Sequence, residues 1–111
     1  LFHAERSLYS AHKLMENAIY LFLRQNGFTV YVGKLGDKEI DFMAEKEGKK
    51  IYIQVALTAM QEETRKREFG NLMQVEDNYP KYVITLADII IGNDYKGIQY
   101  MNLKDFLILE L

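Results

Sequence analysis

Apolar and polar positions alternate with a period of two through the middle of the chain, from Glu39 to Ala56 (EIDFMAEKEGKKIYIQVA). That period marks strands, whose successive side chains point to opposite faces. Glu47-Gly48 supplies a two-residue hairpin loop between them. On that loop Lys46 faces Lys49, and the register runs outward through Ala44–Ile51 and Phe42–Ile53 to Asp41–Gln54. A four-residue loop gives the same pairing. One face then holds Ile40, Phe42, Ala44, Ile51, Ile53, Val55 and Leu57, and the other holds Glu39, Asp41, Met43, Tyr52, Gln54 and Ala56. The second face carries a carboxylate and an amide side by side.

Upstream the period changes. From Leu8 to Gln25 apolar residues recur at helical spacing (Leu8, Ala11, Met15, Ala18, Ile19, Phe22), and Asn26-Gly27 is a left-handed stop. Phe28, Val30 and Val32 then alternate with Thr29 and Tyr31 as a first strand, which Gly36-Asp37 turns into the hairpin. Downstream, Thr58 and Gln61 have capping-box spacing and open a charged helix to about Phe69. Asn78-Tyr79-Pro80 is a turn, Tyr82 to Leu86 is β-rich, and Ile98 to Met101 is a shorter strand. Asn102 caps a final helix with Leu103, Phe106, Leu107 and Leu109 on its apolar side. Ala87 to Gly97 reads equally as strand or helix around Ile89-Ile90-Ile91. The order is α-β-β-β-α-β-(β)-α, an α/β domain with a mixed central sheet flanked by helices, and residues 1–10 read as a lead-in.

Composition narrows the function classes. The chain has 111 residues, enough for one domain, and its 49% hydrophobic content builds a real core. A formal charge of -2 argues against a surface made for nonspecific nucleic-acid binding. Without cysteine there is neither a disulfide nor a thiolate metal site. No apolar run approaches a membrane-spanning length and no secretory signal is visible, so the expectation is a cytoplasmic protein without a membrane partner. The opening residue, Leu1, suggests a piece of something longer.

Several polar features have plain structural explanations. A carboxylate within a strand, such as Asp41, more often sits at a solvated edge or beside a cation than in a site. Gln54 among branched apolar residues is satisfied by a bond to backbone. His12 and Glu16, at i, i+4 on the first helix, have metal-ligand spacing but also the spacing of an ordinary surface pair. Arg65, Lys66 and Arg67 are flanked by acids, and the pairs Glu62–Lys66 and Glu63–Arg67 make a solvated helix face.

In combination these residues resemble a known arrangement. A helix bearing Glu16 precedes a three-stranded meander with Asp41 on its second strand and Gln54-Val55-Ala56 on its third, which is similar to the restriction-endonuclease-like core of the PD-(D/E)XK superfamily. Met15-Glu16-Asn17, Val32-Gly33-Lys34, Glu39-Ile40-Asp41-Phe42 and Ile51-Tyr52-Ile53-Gln54-Val55 resemble one branch of it. That branch is the domain of unknown function found C-terminal to bacterial and archaeal AAA-type P-loop ATPases. Thr64-Arg65, Arg67-Glu68-Phe69 and Asp77-Asn78-Tyr79-Pro80-Lys81-Tyr82 also match, so the resemblance runs from Leu14 to Leu107.

The resemblance implies a site in which Glu16, Asp41 and Gln54 hold Mg²⁺ or Mn²⁺, with the first helix bringing Glu16 up to Asp41 and with Asp41 and Gln54 pointing to the same side, toward that helix or the pocket beneath it. It also implies a lysine two residues beyond Gln54, beside the attacking water. That position is Ala56, which neither moves a proton nor stabilises charge, and the neutral Gln54 is a weaker ligand for a hard cation than a carboxylate. The site therefore reads as degenerate and noncatalytic. The leading expectation is an accessory domain of a P-loop ATPase, whose ATPase part lies upstream in the same chain and whose partner is nucleic acid or protein. No GxxxxGK[ST] phosphate loop occurs here, so this piece is not the ATP-hydrolysing one by that route. The alternatives are an active metal-dependent DNA nuclease with a migrated lysine (Lys13, Lys34 or Lys66) and a protein-interaction module alone.

Overall fold

The computed structural model describes residues 2–35, 38–56, 69–86 and 94–111. The chain starts with a helix, α1 (Phe2–Gln25), so residues 2–10, read above as a lead-in, continue that helix. Its end is a Schellman motif: the Phe28 N–H donates to the Leu23 carbonyl at 3.0 Å and the Gly27 N–H donates to the Arg24 carbonyl at 3.0 Å. Gly27 takes φ +86, the left-handed value this cap needs. Phe28 and Leu23 both enter the core, so the cap also fixes the angle at which the chain returns as a strand.

β1 (Thr29–Leu35), β2 (Lys38–Lys46) and β3 (Lys49–Ala56) form an antiparallel meander. The β2–β3 loop is the expected two-residue one, with Glu47 at φ 49 and Gly48 at φ 81, the paired positive values of a type I′ turn. The register follows the expectation at Lys46–Lys49, Ala44–Ile51 and Phe42–Ile53. Residues 69–73 are helical (α2), at the end of the charged segment expected to be a helix. Most of that segment, with Leu57, the capping box and Lys66, lies outside the described residues. β4 (Lys81–Thr85), β5 (Asp94–Tyr95) and β6 (Ile98–Asn102) follow, then α3 (Leu103–Phe106). Asn102 caps α3 as expected, its Oδ1 accepting the Asp105 N–H at 2.9 Å. The Ile89–Ile91 run lies outside the described residues.

The strands make one mixed sheet in the order β1-β2-β3-β4-β6-β5, antiparallel from β1 to β3, parallel from β3 through β4 to β6, and antiparallel again at β5. A core packs on each side. Met15, Ile19 and Leu23 of α1 meet Phe42, Ala44, Ile51, Ile53, Val55, Tyr82 and Ile84 on one side, closed by Phe106 of α3. Phe69 and Leu72 of α2 meet Ile40, Tyr52, Ala56, Val83, Ile98 and Tyr100 on the other. Every residue of β3 from Ile51 to Ala56 is buried, which accounts for its almost unbroken apolar sequence. No described helix is long and apolar enough to cross a membrane.

Candidate functional site

Two residues of β2 stand against one of β1. Val32 faces Phe42, but Gly33 faces Ile40, which makes Asp41 the inserted residue of a β-bulge. The insertion inverts the alternation beyond it. Ile40, expected beside Phe42 and Ala44, belongs instead to the core on the α2 side. Isoleucine suits either face, so the mark of this slip lies across the ladder, in Gly33, a glycine inside β1 that holds φ +117 at the point of the shift.

The bulge also interrupts the ladder on the other edge of β2, where cross-strand pairing runs from Lys46–Lys49 and ends at Phe42–Ile53. Beyond that point side chains take over the main-chain bonding. The Asp41 N–H donates to Gln54 Oε1 at 2.9 Å, and the Val55 N–H donates to Asp41 Oδ2 at 2.7 Å. Gln54 Nε2 donates to the Glu39 carbonyl at 3.4 Å, a long bond that the same carbonyl supplements by accepting Asn71 Nδ2 at 3.1 Å. Asp41 and Gln54 thus meet, as the register implied, but through side-chain-to-backbone bonds in place of a ladder pair: Gln54 takes the N–H of Asp41, and Asp41 takes the N–H of Val55, the residue after Gln54. Gln54 is only 7% exposed, and such bonding is what lets a buried amide persist in a central strand.

The expected orientation of this pair needs correction. Gln54 lies between Tyr52 and Ala56, both in the core against α2, so its side of the sheet is the one away from α1. Glu16 sits on α1, which packs on the opposite side, and its described partners are His12 Nδ1 at 3.5 Å and Lys13 Nζ at 3.8 Å, both on its own helix. Asp41 and Gln54 are brought together, while Glu16 and Gln54 are set on opposite sides of β3. Among the described residues no group of three His, Cys, Asp or Glu side chains could hold a metal ion. The local donors are one carboxylate and one neutral amide, with Asp41 Oδ2 and Gln54 Oε1 already accepting backbone N–H groups. That set fits a hard divalent cation poorly.

The lysine position, Ala56, is 7% exposed and packs in the α2-side core. Of the alternative lysines, Lys13 lies beside Glu16 on α1, Lys34 stands opposite Glu39 in the β1–β2 ladder, and Lys66 is outside the described residues.

A second polar cluster escaped the sequence reading. Asp77 Oδ2 accepts the Tyr52 hydroxyl at 2.6 Å, while Asp77 Oδ1 accepts Lys81 Nζ at 2.9 Å and the Tyr79 N–H at 3.0 Å. Lys81 Nζ also donates to the carbonyls of Asp77 and Tyr79, each at 2.9 Å, and lies 5.4 Å from the centre of the Tyr52 ring. Burial alone would raise the Asp77 pKa, but the bonds from Tyr52, Lys81 and the Tyr79 N–H, with the Lys81 charge, hold it below the usual carboxylate range. Burial and the Asp77 carboxylate push the Tyr52 hydroxyl well above its ordinary value, so it remains a proton donor at neutral pH. The cluster clamps residues 77–80 onto β3 at the entry to β4, where the Tyr52 N–H also donates to the Pro80 carbonyl at 3.1 Å. The available signal was a lysine opening an apolar strand, four residues after an aspartate.

Comparison with known proteins gives one relative. The chain is 37% identical over 94 residues to an uncharacterized protein of Haemophilus influenzae, an alignment that takes in 85% of this chain. The chain spans only 22% of that relative's length. No protein family matches it, and no solved structure matches at a significant level.

Proposed function

We propose that this chain is a noncatalytic domain of restriction-endonuclease-like descent, serving as an accessory domain of a longer P-loop ATPase and engaging a protein partner. The observation that carries the noncatalytic part is the pair of bonds that Gln54 and Asp41 accept from the backbone N–H groups of Asp41 and Val55. The two residues that would define a nuclease site spend their side chains on the backbone of a bulge. Ala56, where a lysine would stand, is packed in apolar surroundings and offers no group that moves a proton. Support for the descent comes from the sequence resemblance and from the order of elements, a helix and antiparallel meander followed by a strand running parallel beside β3. The small share of the Haemophilus relative that this chain covers is in keeping with a domain that works inside a longer protein. The net charge of -2 favours a protein partner over extended nucleic-acid contact.

The test is cleavage of single- and double-stranded DNA by the purified chain with Mg²⁺ or Mn²⁺, alongside Asp41→Ala. No cleavage above background is expected, and Asp41→Ala should lower the melting temperature instead. Metal-dependent cutting that disappears in Asp41→Ala would overturn the proposal in favour of an active nuclease.

A further inference from the structure

α1 carries more apolar surface than the sheet covers. Met15, Ile19 and Leu23 make the buried stripe. A separate stripe, Ala11, Leu14, Ala18 and Leu21, runs along the helix at spacings of three, four and three residues. Leu14 is 69% exposed and Leu21 is 56% exposed. At about 100° per residue, Leu14 and Leu21 lie roughly 150° around the helix from the middle of the buried stripe. A helix that serves one core needs a single such stripe.

The spacing of this second stripe reads the same in both directions, and its residue sizes alternate between small and large. An antiparallel copy with its two-fold axis level with Glu16 therefore sets Leu14 against the second copy's Ala18 and Leu21 against its Ala11. The same two contacts recur on the other side of the axis. Each leucine enters the space that an alanine leaves, which is the size matching that close helix packing requires. The pattern meets the condition for an isologous contact, in which residue i touches j and j touches i. The flanking positions agree. Ser10 falls opposite Arg24 and Asn17 falls opposite Asn17, so no like charges meet along this edge.

We propose that α1 is an interface with a second copy of this chain, an antiparallel helix pair built on Ala11, Leu14, Ala18 and Leu21. The inference is independent of the reading of Asp41 and Gln54, since cleavage assays and association assays report on opposite sides of the sheet. It makes the domain a device that joins two copies of whatever chain contains it.

Cross-linking can read the arrangement directly, because the chain has no cysteine of its own. Asn17→Cys should form a disulfide dimer under mild oxidation. Ser10→Cys alone should not, but a mixture of Ser10→Cys and Arg24→Cys protein should. Analytical ultracentrifugation of the unmodified chain should show a concentration-dependent dimer. Leu14→Lys, at a position exposed enough to leave the fold intact by circular dichroism, should raise its dissociation constant by at least ~tenfold. A chain that sediments as a monomer up to the millimolar range would overturn the proposal and leave the stripe to another partner. A dimer unaffected by Leu14→Lys, or one that cross-links through Ser10→Cys alone, would overturn it as well.

Discussion

Removing the Gln54 amide strands a backbone group. Gln54→Leu matches its size but leaves the Asp41 N–H without its acceptor, at a cost of about 1–3 kcal/mol in unfolding free energy by urea titration. Gln54→Glu has a different signature. The acceptor for the Asp41 N–H survives, the donor to the Glu39 carbonyl is lost, and a second carboxylate stands beside Asp41. That variant should be least stable relative to the parent at neutral pH and should recover toward pH 4, as protonation removes the repulsion. The Asp77 cluster has an acid limit of its own. Because the folded-state pKa of Asp77 lies below its unfolded value, its contribution is present above about pH 4 and fades as pH falls through the folded value. Asp77→Asn should remove that part of the acid sensitivity while lowering stability at pH 7, where Lys81 then keeps its charge against two carbonyls and a neutral amide. Melting temperatures at pH 3, 5 and 7 distinguish this from general acid denaturation. A parent and variant that lose stability in parallel below pH 4 would show that Asp77 has no such role.

Elements stand or fall on their ends. Gly27 holds φ +86 at the α1 terminus, and alanine there carries the left-handed penalty of about 1–2 kcal/mol. Gly27→Ala should therefore lower stability by that order, while the same change at Gly70, which has no positive φ and open space around it, should be far milder. Asn102→Ala should cost about 1 kcal/mol through loss of the α3 cap. The same ends explain what the sequence disclosed. Asn26-Gly27, Glu47-Gly48 and Asn102 announce their turns and caps because few residues tolerate those conformations, so α1, the β2–β3 hairpin and α3 were legible. The bulge was not, since its mark, Gly33, stands on the neighbouring strand. Nothing about Ile40 and Asp41 forbids regular alternation, and the insertion is decided by how β2 fits against both neighbours at once. It moved Ile40 to the other core, whereas the side of Gln54, away from Glu16, follows from the regular alternation of β3 between Tyr52 and Ala56. Lys81 was missed for a related reason: two of its three acceptors are the backbone carbonyls of Asp77 and Tyr79, and only the third, Asp77 Oδ1, leaves a trace in residue identity.

At the scale of the molecule, one central strand does most of the joining. β3 is antiparallel to β2 on one edge and parallel to β4 on the other, and it is buried on both faces. The same strand supplies Gln54 to the bulge and Tyr52 to the Asp77 clamp, so the two polar clusters are two residues apart on a shared support. Coupling between them is expected. Gln54→Leu and Tyr52→Phe should destabilise non-additively by roughly 0.5 kcal/mol or more in a double-mutant cycle, and strict additivity would show two independent clusters. Chemistry introduced at this sheet also has to respect its burial. Gln54→Glu with Ala56→Lys would place one new charge beside Asp41 and the other in the core with Tyr52, Phe69 and Leu72, and loss of stability is the expected outcome before any gain of nuclease activity.

The change from antiparallel to parallel pairing at β3 also divides the sheet by how far apart its partners lie along the chain. Every bond from β1 to β3 closes a short loop. The β3–β4 pairs, such as Tyr52 with Lys81 and Gln54 with Val83, wait on a much longer excursion. Folding should accordingly begin in the meander with α1 laid across it, and the β4–β6 half should zip on afterwards. In native-state hydrogen exchange the amides of β4 and β6 should open in partial unfolding events at denaturant concentrations that leave β2 and the β2-facing amides of β3 protected. The clamp at Asp77 sits at the first parallel contact, so it doubles as the catch that holds the late half closed. Lys81→Met should speed exchange in β4 selectively, well before it is felt in the hairpin.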